Sequence, residues 1–156
     1  MYRGIRCFVP NEKGRILGNV LEPVDFIKYV WKIGNSEAYF VNQNNHFEDF
    51  FSDDDYELGI VGADLQRRFE ENSYYTIFVD LQGYPSEQFE AITTYEDFVK
   101  SNCEIVILLT DCTYLDIYCK DRQLIEKLYN HAKTLPVKGL HCLSDENDGR
   151  TGMVAF

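Results

Sequence analysis

Between Glu104 and Cys119 two β-rich runs, Glu104–Leu109 and Tyr114–Cys119, are separated only by Thr110-Asp111-Cys112-Thr113. Runs of this kind across so short a gap form neighbouring antiparallel strands. With Asp111-Cys112 as a two-residue turn, Val106 and Leu108 share a face with Leu115 and Ile117. Ile105, Ile107 and Leu109 then share the other face with Tyr114, Asp116 and Tyr118. Both faces are largely apolar, which places this hairpin near the centre of a sheet.

The rest of the chain supplies material for such a sheet. Tyr2 to Val9 partly alternates and stops at Pro10, and Pro10 to Gly14 reads as a turn with Gly14 free to take a positive φ. Residues 26–41 read as a hairpin turning at Gly34-Asn35, and Tyr74 to Leu81 as a strand closed by Gly83-Tyr84-Pro85. Residues 138–143 and 151–155 read as a closing pair of strands. Helical stripes appear at Val61, Leu65 and Phe69, and at Leu124, Ile125, Leu128 and Tyr129 behind a capping Asp121. Thr93 and Glu96 have capping-box spacing ahead of Tyr95, Phe98 and Val99. Eleven Tyr and eleven Phe favour a sheet-rich fold. The expectation is α+β, a mainly antiparallel sheet with three to four helices packed on it. At 156 residues without a linker or repeat, residues 1–156 read as a single domain.

Charge is unevenly spread. The net charge of −11 divides into +2 over residues 1–44, −12 over 45–104 and −1 over 105–156. A field of that sign repels nucleic-acid phosphates and anionic membranes and steers cationic partners. Five cysteines at irregular spacing (Cys7, Cys103, Cys112, Cys119, Cys142) do not form an extracellular framework. The start MYRGIRCF lacks the pattern of a signal peptide, and Ile105 to Leu109 is far short of the roughly 18 apolar residues of a membrane span. The cytoplasm is the expected location.

Sites of known chemistry are hard to find. The cysteines lack the close pairs of a zinc site, so no metal or cofactor is expected. His141 and Cys142 are adjacent and would point to opposite faces of a strand. His131 lies on the stripe of Leu124 and Leu128 as a half-buried helix-end residue, and His46 has Glu48 and Asp49 within reach. None of these makes a triad, and no catalytic residue is assigned. Ser144 to Gly149 has the look of a calcium loop, but Ser144 and Ala155 would stand where carboxylates are needed. Gly59 to Gly62 and Gly14 to Gly18 lack the pattern of a phosphate loop.

The stretch FEDFFSDDDYE remains. Phe47, Phe50 and Phe51 have the i, i+3, i+4 spacing of a short helix capped by Asn44 or Asn45, ending by Ser52 because Asp53-Asp54-Asp55 would suit a helix C-terminus badly. One reading buries the three rings in the core and leaves the acids as a solvated surface. The other makes Phe47, Phe50, Phe51, Asp53, Asp54, Asp55 and Glu57 a docking surface for a basic protein, with rings as contact area and acids steering the encounter.

The segments RGI, PNEKGRILGNVLEP and YVWKI, with Gly4, Pro10, Asn11, Gly14, Gly18, Pro23 and Trp31, carry a resemblance that continues in FVDLQGYP (78–85) and EIVILLTDCTYLDIYCKD (104–121). The chain resembles an uncharacterised domain-of-unknown-function family of small proteins from spore-forming Gram-positive bacteria. The resemblance implies a cytoplasmic bacterial protein and brings no activity or catalytic residue with it.

The leading expectation is a non-enzymatic binding protein that docks a basic protein partner, with neutralisation of a cationic toxin as one concrete version. The alternative is a small-molecule-binding domain or hydrolase-like enzyme with a cleft lined by His, Asp and Tyr. A homo-oligomer built on surplus aromatic surface is a third possibility.

Overall fold

The computed structural model describes residues 1–155, an α+β structure on one antiparallel sheet. Among the described residues the strands are β1 (Tyr2–Phe8), β2 (Val30–Ile33), β3 (Glu37–Val41), β4 (Phe47–Asp49), β5 (Ile60–Val61), β6 (Tyr74–Tyr84), β7 (Ile105–Thr110), β8 (Tyr114–Cys119) and β9 (Lys138–Ser144). The helices are α1 (Ile16–Val20), α2 (Asp53–Leu58), α3 (Gly62–Glu71), α4 (Tyr95–Lys100) and α5 (Arg122–Ala132), with a 3-10 turn at Phe26–Lys28. The sheet order is β4-β3-β6-β7-β8-β1-β9, with β2 also on β6 and β5 beyond it. The expected fold class holds, as does the stripe that became α5; of the stripe in α3, Leu65 and Phe69 are buried, but Val61 lies in β5 ahead of the helix and is exposed.

The central hairpin forms with its register shifted by one residue. Asp111 and Cys112 take φ of 50° and 66°, and Thr113 N donates to Thr110 O (3.2 Å), as a two-residue turn requires. Thr113 is then an extra residue, because its carbonyl accepts from Val9 N (2.8 Å), and Thr110 faces Tyr114. A shift of one residue exchanges the faces of a whole strand. Ile105, Ile107 and Leu109 therefore join Leu115, Ile117 and Cys119 in the larger core, with Trp31, Leu65, Phe69 and Leu128. Val106 and Leu108 share the opposite face with Asp116 and Tyr118, under a smaller core with Tyr84, Phe98, Leu143 and Met153.

Residues 26–41 do not form a hairpin. β2 and β3 lie one after the other along the same edge of β6, facing Leu81 to Tyr84 and Tyr74 to Phe78 respectively. Neither Gly34 nor Asn35 takes the positive φ that a tight reversal needs. Gly34 N instead donates to Asp80 O (2.8 Å), and Asp80 N donates to Ser36 Oγ (3.0 Å), so the chain bulges past β6 and continues. β6 also runs through Gly83 rather than turning there. A Cβ on Gly83 would lie 2.7 Å from the Ile105 side chain and 3.1 Å from the Trp31 ring, so glycine serves close packing at this point.

Two further expectations shift. The box ahead of α4 is Thr94 with Asp97, one residue beyond the expected pair. Residues 151–155 pair with no strand among the described residues. A single bridge joins Gly152 to Thr94, and Met153 N donates to Thr93 O (2.9 Å), so this segment crosses the smaller core.

The register shift also places Asp116 on a buried face, where a carboxylate must be paired. Arg6 binds it with both forks (Nε 2.7 Å, Nη2 2.9 Å), and Arg150 Nε adds a third donor at 3.0 Å. Asp148, with its side chain wholly buried, accepts from Arg3, Arg6, the Arg150 backbone and Tyr118 Oη. β1, β8 and the C-terminal segment are thus joined by one ion-pair network.

No helix is long and apolar enough to cross a membrane among the described residues.

Candidate functional site

The sequence from Phe47 to Glu57 divides at Ser52. Phe47, Glu48 and Asp49 form β4, which pairs with β3 as Tyr39↔Asp49, Phe40↔Glu48 and Val41↔Phe47. The expected helix over 47–51 is absent. The helix begins where that one was expected to end, at Ser52, whose Oγ accepts from Asp55 N (3.2 Å) while Asp55 Oδ2 accepts from Ser52 N (2.7 Å). Asp53, Asp54 and Asp55 occupy its first turn, where the dipole favours anions. Ser52→Ala is expected to lower stability by about 1 kcal/mol, the usual value of such a cap, measured by urea unfolding.

The seven expected docking residues are therefore dispersed. Phe50 and Phe51 are buried, and Phe50 packs on Phe40 (4.5 Å between ring centres), Phe69 (5.2 Å) and Tyr74 (5.6 Å). Asp55 is also buried and receives two bonds from Arg68 (2.7 and 3.1 Å). Burial pushes its carboxyl up, but Arg68 and Ser52 outweigh that and hold it below the ordinary carboxylate range. Phe47, Asp53, Asp54 and Glu57 remain exposed.

What β3, β4 and α2 enclose is a notch of about 140 Å³. Tyr39 and Tyr56 line it with Phe51, and Glu37, Asp49 and Asp53 are its charged residues. Tyr39 Oη donates to Glu37 Oε2 (2.7 Å) and Tyr56 Oη donates to Ser36 O (3.1 Å). The bond to Glu37 raises the Tyr39 phenol, and burial, with Asp49, Asp55 and Asp53 nearby, raises that of Tyr56. The carboxylates of Asp49 and Asp53 have no hydrogen bond or ion pair among the described residues. Beside it Phe47, half exposed, is stacked on Tyr39 at 5.8 Å. Carboxylates beside aromatic rings suit an ammonium or guanidinium group.

Glu37 and Tyr39 lie outside the stretch singled out in the sequence, and Asp49 and Tyr56 lie within it but were not among the seven docking residues. One signal was available: Ser52 with Asp55 three residues on marks a helix start. The remaining members meet only where β3, β4 and α2 come together.

The histidines stand apart from the notch. His131 Nε2 lies 2.7 Å from Asn19 O, to which it donates, and 3.2 Å from Glu22 Oε2, in a recess of about 300 Å³ with Glu70 and Gln66. His46 and His141 are exposed. Among the described residues no group of three or more His, Cys, Asp or Glu side chains is placed to hold a metal ion.

Comparison with known proteins agrees with the resemblance read from the sequence. A family model described as "Protein of unknown function (DUF2691)" matches residues 2–154. The chain is 39% identical over 155 residues to the "Uncharacterized protein YncE" of Bacillus subtilis (strain 168), covering 98% of this chain and 99% of that protein. No solved structure matches.

Proposed function

We propose that this chain, which belongs to the DUF2691 family, is a cytoplasmic, non-enzymatic binding protein that receives a basic side chain of a protein partner in the acidic notch. The observation that carries this reading is the pair Asp49 and Asp53, exposed, unpartnered among the described residues, and facing two tyrosines. Phe47 adds apolar contact area beside Tyr39, and Asp54 and Glu57 extend the attractive field along α2. Of the seven docking residues expected from the sequence, the proposal keeps Phe47, Asp53, Asp54 and Glu57.

The test is capture of a partner from native lysate at low and high salt by the chain and by Asp49→Asn/Asp53→Asn. Capture is expected to weaken with salt and to fall about tenfold in the double variant, roughly 1.4 kcal/mol. Capture insensitive both to salt and to the substitutions would sink the proposal.

A second reading, a small-molecule site around His131, is favoured by the His131–Glu22 contact within its recess. A partner or ligand lost in His131→Gln and retained in the Asp49→Asn/Asp53→Asn variant would transfer the function there.

A further inference from the structure

On the far side of the sheet, a recess of about 290 Å³ opens between α4 and the segment that follows β9. Its lining includes Arg3, Arg150, Thr94, Thr151, Tyr95 and Glu96. We propose that this recess is a binding site for a phosphate-class oxyanion, held by Arg3 and Arg150.

Three guanidiniums, of Arg3, Arg6 and Arg150, meet only two buried carboxylates, Asp116 and Asp148. The third acid, Asp145, is more than half exposed (58%) and takes only the Nε edge of Arg3, at 2.9 Å. Arg3 Nη1 reaches Asp148 (3.3 Å), and its guanidinium lies 3.9 Å from the centre of the Tyr95 ring. Arg150 spends Nε on Asp116 and Nη1 on the carbonyls of Gly152 (3.2 Å) and Val154 (3.0 Å). The Nη2 groups of Arg3 and Arg150 have no acceptor among the described residues.

Both side chains are thus fixed from behind with a terminal nitrogen to spare. Holding a long, flexible arginine in one geometry is a main entropic cost of anion recognition, and here folding has already met it. Thr94 Oγ1 accepts from Asp97 N (3.1 Å), leaving its proton free, and the Thr151 hydroxyl is unbonded among the described residues. Two guanidiniums and two hydroxyls match the several acceptor oxygens of a phosphoryl group. Asp148 also lines the recess, but its side chain is buried and both its oxygens accept from donors, so the exposed opposing charges are those of Glu96 and of Asp145 on the Nε edge of Arg3. The chain carries a net charge of −11, so its overall field gives an anion no help. Affinity measured here would come from these groups.

Arg150→Ala would strip Asp116 of a partner and endanger folding, so the test uses residues outside the ion-pair network. Inorganic phosphate is titrated by calorimetry into the chain, Glu96→Gln and Thr151→Val at constant ionic strength in chloride. Unfolding curves confirm that both variants are folded. The expected result is saturable one-to-one binding, severalfold tighter in Glu96→Gln and severalfold weaker in Thr151→Val. Titration with phenyl phosphate identifies the source: tighter binding than inorganic phosphate assigns a monoester, weaker binding the free ion. Heats equal to a chloride blank for both ligands, or the same affinity in all three proteins, would overturn the site.

Discussion

Phe50→Ala is expected to destabilise the chain by about 4 kcal/mol, and Phe47→Ala by no more than about 1 kcal/mol. The two rings lie three residues apart in the sequence and belong to different environments. Phe50 is 2% exposed and touches Phe40, Phe51, Phe69 and Tyr74, so truncation leaves a cavity among rings fixed by α3 and β6. Phe47 is 50% exposed and loses its stack on Tyr39, a contact that water replaces cheaply. Urea unfolding of the two variants side by side measures the difference. Equal losses would mean that the strand and helix assignments around Ser52 are wrong. The comparison also separates stability from docking, since Phe47→Ala should weaken partner capture while leaving the fold intact.

The second large effect is one of pH. Asp80 is 3% exposed, its Oδ1 has no hydrogen-bond partner among the described residues, and its Oδ2 accepts only from Ala155 N at 3.4 Å. Burial pushes its carboxyl up to about 6, against the opposing effects of the Ala155 amide, Lys32 and Arg150. A carboxyl raised in the folded state keeps its proton where the unfolded chain has lost it. The stabilisation is therefore complete below the ordinary carboxylate range and is lost as pH rises through about 6. Each pH unit between the unfolded and folded values is worth about 1.4 kcal/mol, so the loss approaches about 3 kcal/mol. Asp80→Asn removes the charge and its titration, and is expected to be about 2 kcal/mol more stable than the parent at pH 8, less than the full loss because the new amide N–H also lacks an acceptor. Near pH 4.5 the two should be nearly equal. Urea unfolding from pH 4.5 to 8 gives the difference directly, cancelling the opposite contributions of Asp55, Asp97 and Asp145, whose carboxyls are held low. A difference constant across that range would show that Asp80 does not titrate as its burial requires.

What the sequence revealed follows the length over which each signal repeats. α3 and α5 extend for ten and eleven residues, long enough for a 3.6-residue stripe to be unambiguous. The paired strands β7 and β8 were equally plain, yet one residue, Thr113, decided which side chains face which core. Nothing local marks a carbonyl that will be taken by a strand more than a hundred residues away. FEDFF fitted helical spacing because three rings in five residues satisfy i, i+3, i+4 in a strand and loop as well. Residues 26–41 had the alternation of strands and a Gly-Asn pair, but a bulge and a turn share that composition. The notch was half legible: Asp53 and Phe47 stood out by charge and size. Glu37, Tyr39 and Tyr56 became neighbours of Asp49 only through β3, β4 and α2 together. The Arg–Asp network was invisible, since its members are scattered from Arg3 to Arg150.

The position of β1 bears on how the chain reaches this structure. Among the described residues its only strand partners are β8 and β9, and the Arg6–Asp116 bond closes a span of 110 residues. Closing so long a loop is slow relative to local pairing, and vectorial synthesis releases β1 well before either partner. The outer edge of β8 stays open during that interval, carrying an unpaired row of amides beside aliphatic side chains. Until β1 docks, that edge is the place where a second nascent copy could pair, so assembly should be most vulnerable to crowding at its final step.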